Sequence, residues 1–381
     1  MSIDWRTVKL ADIADLSMGE TLLSKNLTGG GIPVFSANTD EGPWGYTGNN
    51  RRRLHRGDIV IGARGSIGNP RRPNFDAFTC TQTTIAVQPD HSVVDSEYLH
   101  HALRAADILG IASQQAVPML TIGALSPLEI TLPKLDEQRR IAEVLRSVDD
   151  AIAAAENALA ASQAVHRLSL EALFGVCFTE AYPDGEKIAT IRQVCERVTY
   201  GFTNPMPTTD DGPWMLTAAN VRHGWIDYNS ARHTSVAAYV NDISEKSRPP
   251  IGAVLVTKDG TLGRVARVDR ADVCINQSVA VLIPDATAVD GAFLSYLLQC
   301  PTGQDRMLAD SGGSSVKHIY ISKLAELPFV LPSMDVQQER ALLAEESERA
   351  VQDQTRAVEG LRALKAHISS NLLSGHVRVP A

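Results

Sequence analysis

The chain has 381 residues, 44% of them hydrophobic and 21% charged, with a formal net charge of -8. That length exceeds one ordinary core and predicts two domains with connecting elements, while the composition excludes a disordered chain. No run of 18 apolar residues occurs and Asp4, Arg6, Lys9, Asp12 and Asp15 crowd the start, so neither a membrane span nor a signal peptide is expected.

In chain order, Trp5, Val8, Leu10 and Ile13 open an apolar segment that turns at Gly19. A polar run then reaches Gly29-Gly30-Gly31 and a short extended segment, IPVFSAN, at 32–38. The loop from Thr39 is rich in Gly, Asn and Asp and ends in Arg51-Arg52-Arg53-Leu54-His55-Arg56. GDIVIGARGSIGN at 57–69 is a β-branched run into a tight glycine turn, which predicts a hairpin. TQTTIAVQP at 81–89 reads as a strand, Ser96 to Leu109 as a helix and LSPLEITLP at 125–133 as extended chain.

Leu132-Pro133 closes that stretch, and Asp136 and Glu137 place negative charge where a first helical turn favours it. Ile141, Leu145, Val148, Ile152, Ala155 and Leu159 then alternate at spacings of four and three, the seam of a helix packed lengthwise on another helix. The pattern fades through Ser162 and Val165 and resumes at Leu168, Ala172 and Leu173. It predicts a helix to about Gly175, about 58 Å long at 1.5 Å per residue.

The second half repeats this order. Residues 57–89 align with 252–284 at an offset of 195 without a gap. Only six positions are identical, yet both outer glycines of the turn, Gln82 with Gln277 and Pro89 with Pro284 stay in register. Upstream the offset is 182, pairing Gly19 with Gly201, Gly30 with Gly212 and Ala37-Asn38 with Ala219-Asn220. Downstream it is 199, pairing Leu132-Pro133 with Leu331-Pro332 and Gln138 with Gln337. About thirteen extra residues lie between Asn220 and Gly252, as expected where a duplicated domain varies its loops. From Met334 to Leu373, Val351, Val358, Leu361, Ile368 and Leu372 form a second seam, with Gln354 and Lys365 in its gaps. The fold class expected is α+β: a first domain at 1–132, a long helix at 133–176, a second domain at 177–331 and a second long helix at 332–381, the helices pairing antiparallel.

Enzyme motifs are absent from the sequence. Gly62 to Gly68 lacks the Gly-Lys-Ser/Thr of a phosphate cradle, and Asn69-Pro70 stops any helix there. Asn204-Pro205-Met206-Pro207 reads as a loop, and His100-His101 has no partner at metal-ligand spacing. Five scattered cysteines without a CxxC pair read as reduced and structural, in keeping with a cytoplasmic protein.

Charge is undecided about nucleic acid. Residues 1–132 hold 11 Lys and Arg against 13 Asp and Glu, and 182–331 hold 14 against 16, so local clusters set the field. In the first copy these are Arg51, Arg52, Arg53, His55 and Arg56 before the hairpin, Arg64 in its turn, and Arg71 and Arg72 after it. In the second they are Arg222, His223, Arg232, His233, Lys246 and Arg248, then Lys258, Arg264 and Arg267. Such residues suit phosphate clamps and guanine-reading arginines, and equally a solvated basic face. Gln82 and Gln277 suit adenine, although their place in the repeated strand favours a structural role.

LPKLDEQRRIAEVLRSVDDAI after the first domain, LPSMDVQQERALL after the second, the paired hairpins and the terminal NLLSGHVRV together resemble the specificity subunit of type I restriction-modification systems. The resemblance spans essentially the whole chain. It implies two target recognition domains, each reading one half of a bipartite, asymmetric site in double-stranded DNA. It implies an antiparallel helical spacer that docks two modification subunits, with Glu137, Gln138, Ile141, Leu145 and Gln337 at those contacts. It also implies no catalysis, metal or cofactor in this chain: modification subunits would hold S-adenosylmethionine, and restriction subunits would add ATP and magnesium. A helical adaptor, or a specificity subunit of another DNA-modification defence system, is the alternative.

Overall fold

The computed structural model describes residues 5–37, 42–48, 52–113, 118–178, 187–309 and 317–379. The chain divides into two units: Met1–Ala155 with Ala357–Ala381, and Glu156–Arg356.

In the first unit, strands β1 (Arg6–Lys9), β2 (Ala14–Met18), β3 (Ile32–Phe35), β4 (Gly45–Thr47) and β5 (Leu54–His55) are followed by β6 (Ile59–Gly62), β7 (Gly68–Arg71), β8 (Ala77–Cys80) and β9 (Thr84–Pro89). Helix α1 (Ser96–Ala105), the single turn α2 (Ile122–Leu125), strand β10 (Glu129–Leu132) and the long helix α3 (Leu135–Phe174) come next. β2-β9-β6-β7 form an antiparallel sheet, and β4-β3-β8-β5 form a second in which β3 and β8 run parallel. β6 is buried on both faces, because alternate residues serve different cores. Ile59, Ile61, Ile85 and Val87 pack with Tyr98, Leu99, Ile141, Leu145 and Leu372 on the helical side. Val60 and Ala86 pack with Phe35, Leu54, Phe78 and Cys80 of the other sheet. The layers are therefore helices, sheet, sheet.

The second unit contains β11 (Ile188–Thr190), α4 (Ile191–Val194), β12 (Cys195–Tyr200), β13 (Thr209–Leu216), β14 (Arg232–His233) and α5 (Val236–Asn241). β15 (Val254–Thr257), β16 (Val265–Arg267), β17 (Val273–Ile275), β18 (Val279–Pro284), α6 (Gly291–Gln299), α7 (Pro301–Ala309), α8 (Ile321–Ala325), β19 (Pro328–Val330) and the long helix α9 (Met334–Leu373) complete it. Its sheets, β12-β18-β15-β16 and β14-β13-β17, repeat those of the first unit except that the second lacks a counterpart of β5. Val254, Val256, Ala280 and Leu282 face the helical core, while Leu255 and Val281 face the second sheet.

The hairpin alignment holds in the ladder: Val60 opposes Arg71 as Leu255 opposes Ala266. The upstream alignment needs a one-residue correction. Phe35 pairs with Cys80 as Leu216 pairs with Ile275, so β3 and β13 are related by 181 rather than 182. Gly31, not Gly30, corresponds to Gly212; their φ angles are +119° and +120°. A side chain there would meet the carbonyl of Thr47 or Thr234, at 2.6 and 2.3 Å from an added Cβ. Likewise Ala37 corresponds to Ala218, each with its N–H on a hydroxyl, of Thr83 and Ser278. Gly19 and Gly201 do share the expected offset, and an added Cβ would lie 2.2 Å from Thr81 O and 1.9 Å from Ile275 O.

Each long helix gives one part to each unit. In the first, Lys365 of α9 bonds the Asp149 carboxylate of α3, and Arg378, beyond α9, donates to Glu137 near the start of α3 at 2.7 Å. In the second, His166 and Ser347 bond at 2.7 Å and Arg340 approaches the Cys177 sulfur at 3.3 Å. Rising numbers on one helix meet falling numbers on the other, so the pairing is antiparallel. The expected resumption of the α3 seam at Leu168 and Ala172 is corrected: both are exposed. The seam instead continues through Ser162, His166, Ser169 and Leu173, all half-buried, at unbroken spacings of four and three. α1 ends at Ala105, short of Leu109, because Asp107 turns the chain by accepting the Gly110 N–H at 2.9 Å.

Candidate nucleic-acid interface

Each unit carries a cleft built on the same framework. Glu20 N–H donates to Cys80 O and Phe202 N–H to Ile275 O, then Gln82 N–H returns to Glu20 O and Gln277 N–H to Phe202 O. Around that frame the first cleft, about 760 Å³, is lined by Glu20, Thr21, Leu22, Asn26, Thr28 and Thr47. The second, about 700 Å³, is lined on its polar side by Thr203, Asn204, Asn220, Arg222, Arg232 and Gln277. The glutamines are held by their backbones, and both side chains are exposed. Thr21 donates to Gln82 Oε1 at 2.7 Å. Gln277 has no side-chain partner among the described residues.

The basic loop before each hairpin lies beside its cleft. In the first unit the Arg52 backbone N–H donates to the Glu20 carboxylate and its guanidinium to Met18 O at 3.3 Å. Arg51 lies outside the described residues. Arg53 and His55 are exposed, with His55 Nδ1 3.3 Å from Asp76 O, and Arg56 pairs with Asp76 at 2.8 Å. In the second unit Lys246 and Lys258 each sit over the ring of Tyr200, the counterpart of Met18, at 5.4 and 5.5 Å. Arg248 lies over Tyr239 at 5.5 Å. A lysine held over an aromatic ring loses side-chain freedom, which suits a phosphate clamp.

Other basic residues take different places. Arg64 is exposed, its Nε 3.0 Å from the Met119 sulfur; its counterpart Asp259 is bonded by His318 and Lys258, both at 2.5 Å. Burial works to raise the Asp259 pKa, but those two bonds outweigh it and hold the carboxyl below its usual range. One hairpin turn therefore presents a cation and the other a paired carboxylate. Arg71 lies over Phe35 and donates to Ser36 O at 2.6 Å. Arg72 and Arg267, counterparts at offset 195, both turn to helix carboxylates: Glu97 of α1 at 3.5 Å and Glu345 of α9 at 2.8 Å. Arg264 donates to Val221 O at 3.5 Å, Arg222 approaches Asp227 at 3.6 Å and His223 is exposed. His233 stacks on Trp214 at 3.8 Å and bonds Gly212 O at 2.6 Å.

The five residues expected at subunit contacts face inward. Gln138, Ile141, Leu145 and Gln337 are buried, with relative exposure of at most 1%. Glu137 accepts from Arg378 and from Trp5 Nε1, and the Arg378 bond chiefly holds its carboxyl below the usual range. A partner docking over these turns would meet their exposed neighbours instead. Among the described residues no group of His, Cys, Asp or Glu is arranged to hold a metal, and no helix is long and apolar enough to cross a membrane.

Duplicated α+β units, each with a cleft flanked by basic side chains and each containing a pair of long-helix segments, define a class of tandemly repeated binding protein. The family model described as "Type I restriction modification DNA specificity domain" matches residues 2–161 and 207–342. The chain belongs to that family, the type I restriction-modification specificity subunits. The MjaVIII type I restriction enzyme specificity subunit of Methanocaldococcus jannaschii is 20% identical over 85% of this chain and 77% of its own. A protein named as a type I specificity subunit of Mycoplasma pneumoniae is 27% identical over 38% of this chain, and the match spans 48% of that relative. A Haemophilus influenzae relative of similar name is also 27% identical, over 37% of this chain and 39% of its own. In fold, the chain is similar to the S subunit of M. genitalium, with a TM-score of 0.61 and 16% identity over 98% of this chain and 96% of that one. A chain from a study of complex assembly in the type I R-M system gives 0.60 and 17%, over 97% of each.

Proposed function

We propose that this chain is the DNA-reading, non-catalytic subunit of a type I modification and restriction complex. Residues 1–132 and 177–331 each read one half of a split, asymmetric site, and the paired helices serve as spacer and dock for two modification subunits. Restriction subunits join that assembly. The observation carrying this reading is the pair of clefts: one backbone frame, basic loops beside both, and different side chains inside. Like frames with unlike linings suit two unlike half-sites.

The test co-expresses the chain with a modification subunit from the same genome and maps methyladenine by single-molecule sequencing of host DNA. The expected result is one split, asymmetric motif that appears only with this chain. Unchanged methylation from a complex shown to assemble would leave a helical adaptor as the better reading.

A further inference from the structure

Sheet register identifies a reading residue. β4 pairs with β3 through Val34 and Gly45, and β14 pairs with β13 through Met215 and Arg232. Val34 and Met215 are counterparts, as are Thr47 and Thr234, so Gly45 and Arg232 occupy one position of the repeat. In the first unit that position has no side chain, and an added Cβ would lie 2.8 Å from Leu27 Cδ1, which fills the space. In the second unit it carries a guanidinium that lines the cleft with Gln277 and Asn204.

Arg232 is exposed and its side chain has no partner among the described residues, unlike Arg222, Arg264 and Arg267. Its backbone is fixed on both sides. His233 is stacked on Trp214, and Ser230 accepts from Asn220 Nδ2 at 3.1 Å. A fixed base with an uncommitted fork suits bidentate bonding to guanine O6 and N7. Lys246, exposed over Tyr200, is placed to serve as a phosphate clamp nearby.

Building on the proposed function, we propose that Arg232 reads a guanine in the half-site of the second domain, with Gln277 and Asn204 at its flank, and that the first domain makes no such contact. The test uses the full chain assembled with its modification subunits, as wild type, Arg232→Ala and Arg232→Gln. Methylation mapping should show a guanine in one half of the wild-type motif that both variants relax. The other half should stay unchanged, which also reports that the variants fold. Replacing that guanine by 7-deazaguanine in a duplex should weaken wild-type binding by about 5- to 150-fold and leave Arg232→Ala binding unchanged. A variant that loses affinity equally for all sequences, with a salt slope lower by about one, would make Arg232 a phosphate contact and overturn the proposal. A wild-type motif without guanine overturns it too. A wild-type complex with no split motif dependent on this chain overturns the proposed function itself, so the two failures are distinguishable.

Discussion

The amide of Gln138, itself buried, bonds three backbone groups. It accepts the Asp95 N–H at 2.8 Å and donates to Pro133 O at 2.9 Å and Val93 O at 3.2 Å. Asp95 in turn caps α1, accepting from Glu97 and Tyr98 N–H. Gln337 repeats the device, accepting the Asp290 N–H at 2.8 Å and donating to Pro332 O at 2.9 Å, and Asp290 caps α6. Each glutamine thus ties the entry of a long helix to the cap of the short helix beside it. Gln138→Ala strands these groups and should cost about 2–4 kcal/mol in denaturant unfolding, as should Gln337→Ala. A loss within about 0.5 kcal/mol would mean that solvent reaches the site. The recurrence of these glutamines was legible in the sequence, but their direction was not. Spacing shows which residues return; it does not show which backbone groups lack partners.

At the scale of elements, the two long helices were the most legible feature, because their seams run for many turns. α9 has the expected bounds, and Val351, Gln354, Val358, Leu361, Lys365, Ile368 and Leu372 all lie on its covered face. Polar seam residues hid the continuation of α3: Ser162 and His166 break an apolar pattern without breaking the packing. The Lys365–Asp149 pair has side-chain exposures of only 20% and 36%, so it is partly desolvated. Lys365→Leu alone leaves Asp149 facing an apolar neighbour and should cost about 1–2 kcal/mol. Adding Asp149→Leu should restore or exceed wild-type stability, since an apolar layer fits a heptad seam. Additive losses in that double-mutant cycle would show that the pair is not coupled.

For the whole molecule, the repeat was legible through its turn glycines and the Gln and Pro of its strands. The one-residue change of offset was not, because only backbone pairing places Gly31 opposite Gly212. Neither was the equivalence of Arg232 with Gly45, since an arginine and a glycine share no sequence likeness. The units should also differ in acid. Burial pushes His100 and His101 of the first unit down to about 4. The unfolded chain protonates near 6.5, so between about 6.5 and 4 it binds protons that the folded unit refuses, and stability is lost as pH is lowered. The second unit holds Ser295 and Tyr296 at those positions. Its half-buried His166 shifts the same way by less, and burial raises Glu348, whose contribution is full in acid and lost as pH rises. Hydrogen exchange at pH 7 and pH 5, corrected for intrinsic rates, should show protection falling more in α1 and β9 than in α6 and β18. Equal losses would refute the assignment.

On the edge strand β14 the Arg232 side chain is exposed and has no partner among the described residues, so folding constrains its identity little. Heredity follows from that. Under the proposed function, a lineage could exchange what this protein prefers by substitution at that one edge position, with the inherited scaffold intact. The descendant would then carry ancestral marks laid down for a preference that it no longer has, and protection of its own genome would have to be rewritten in the same generation.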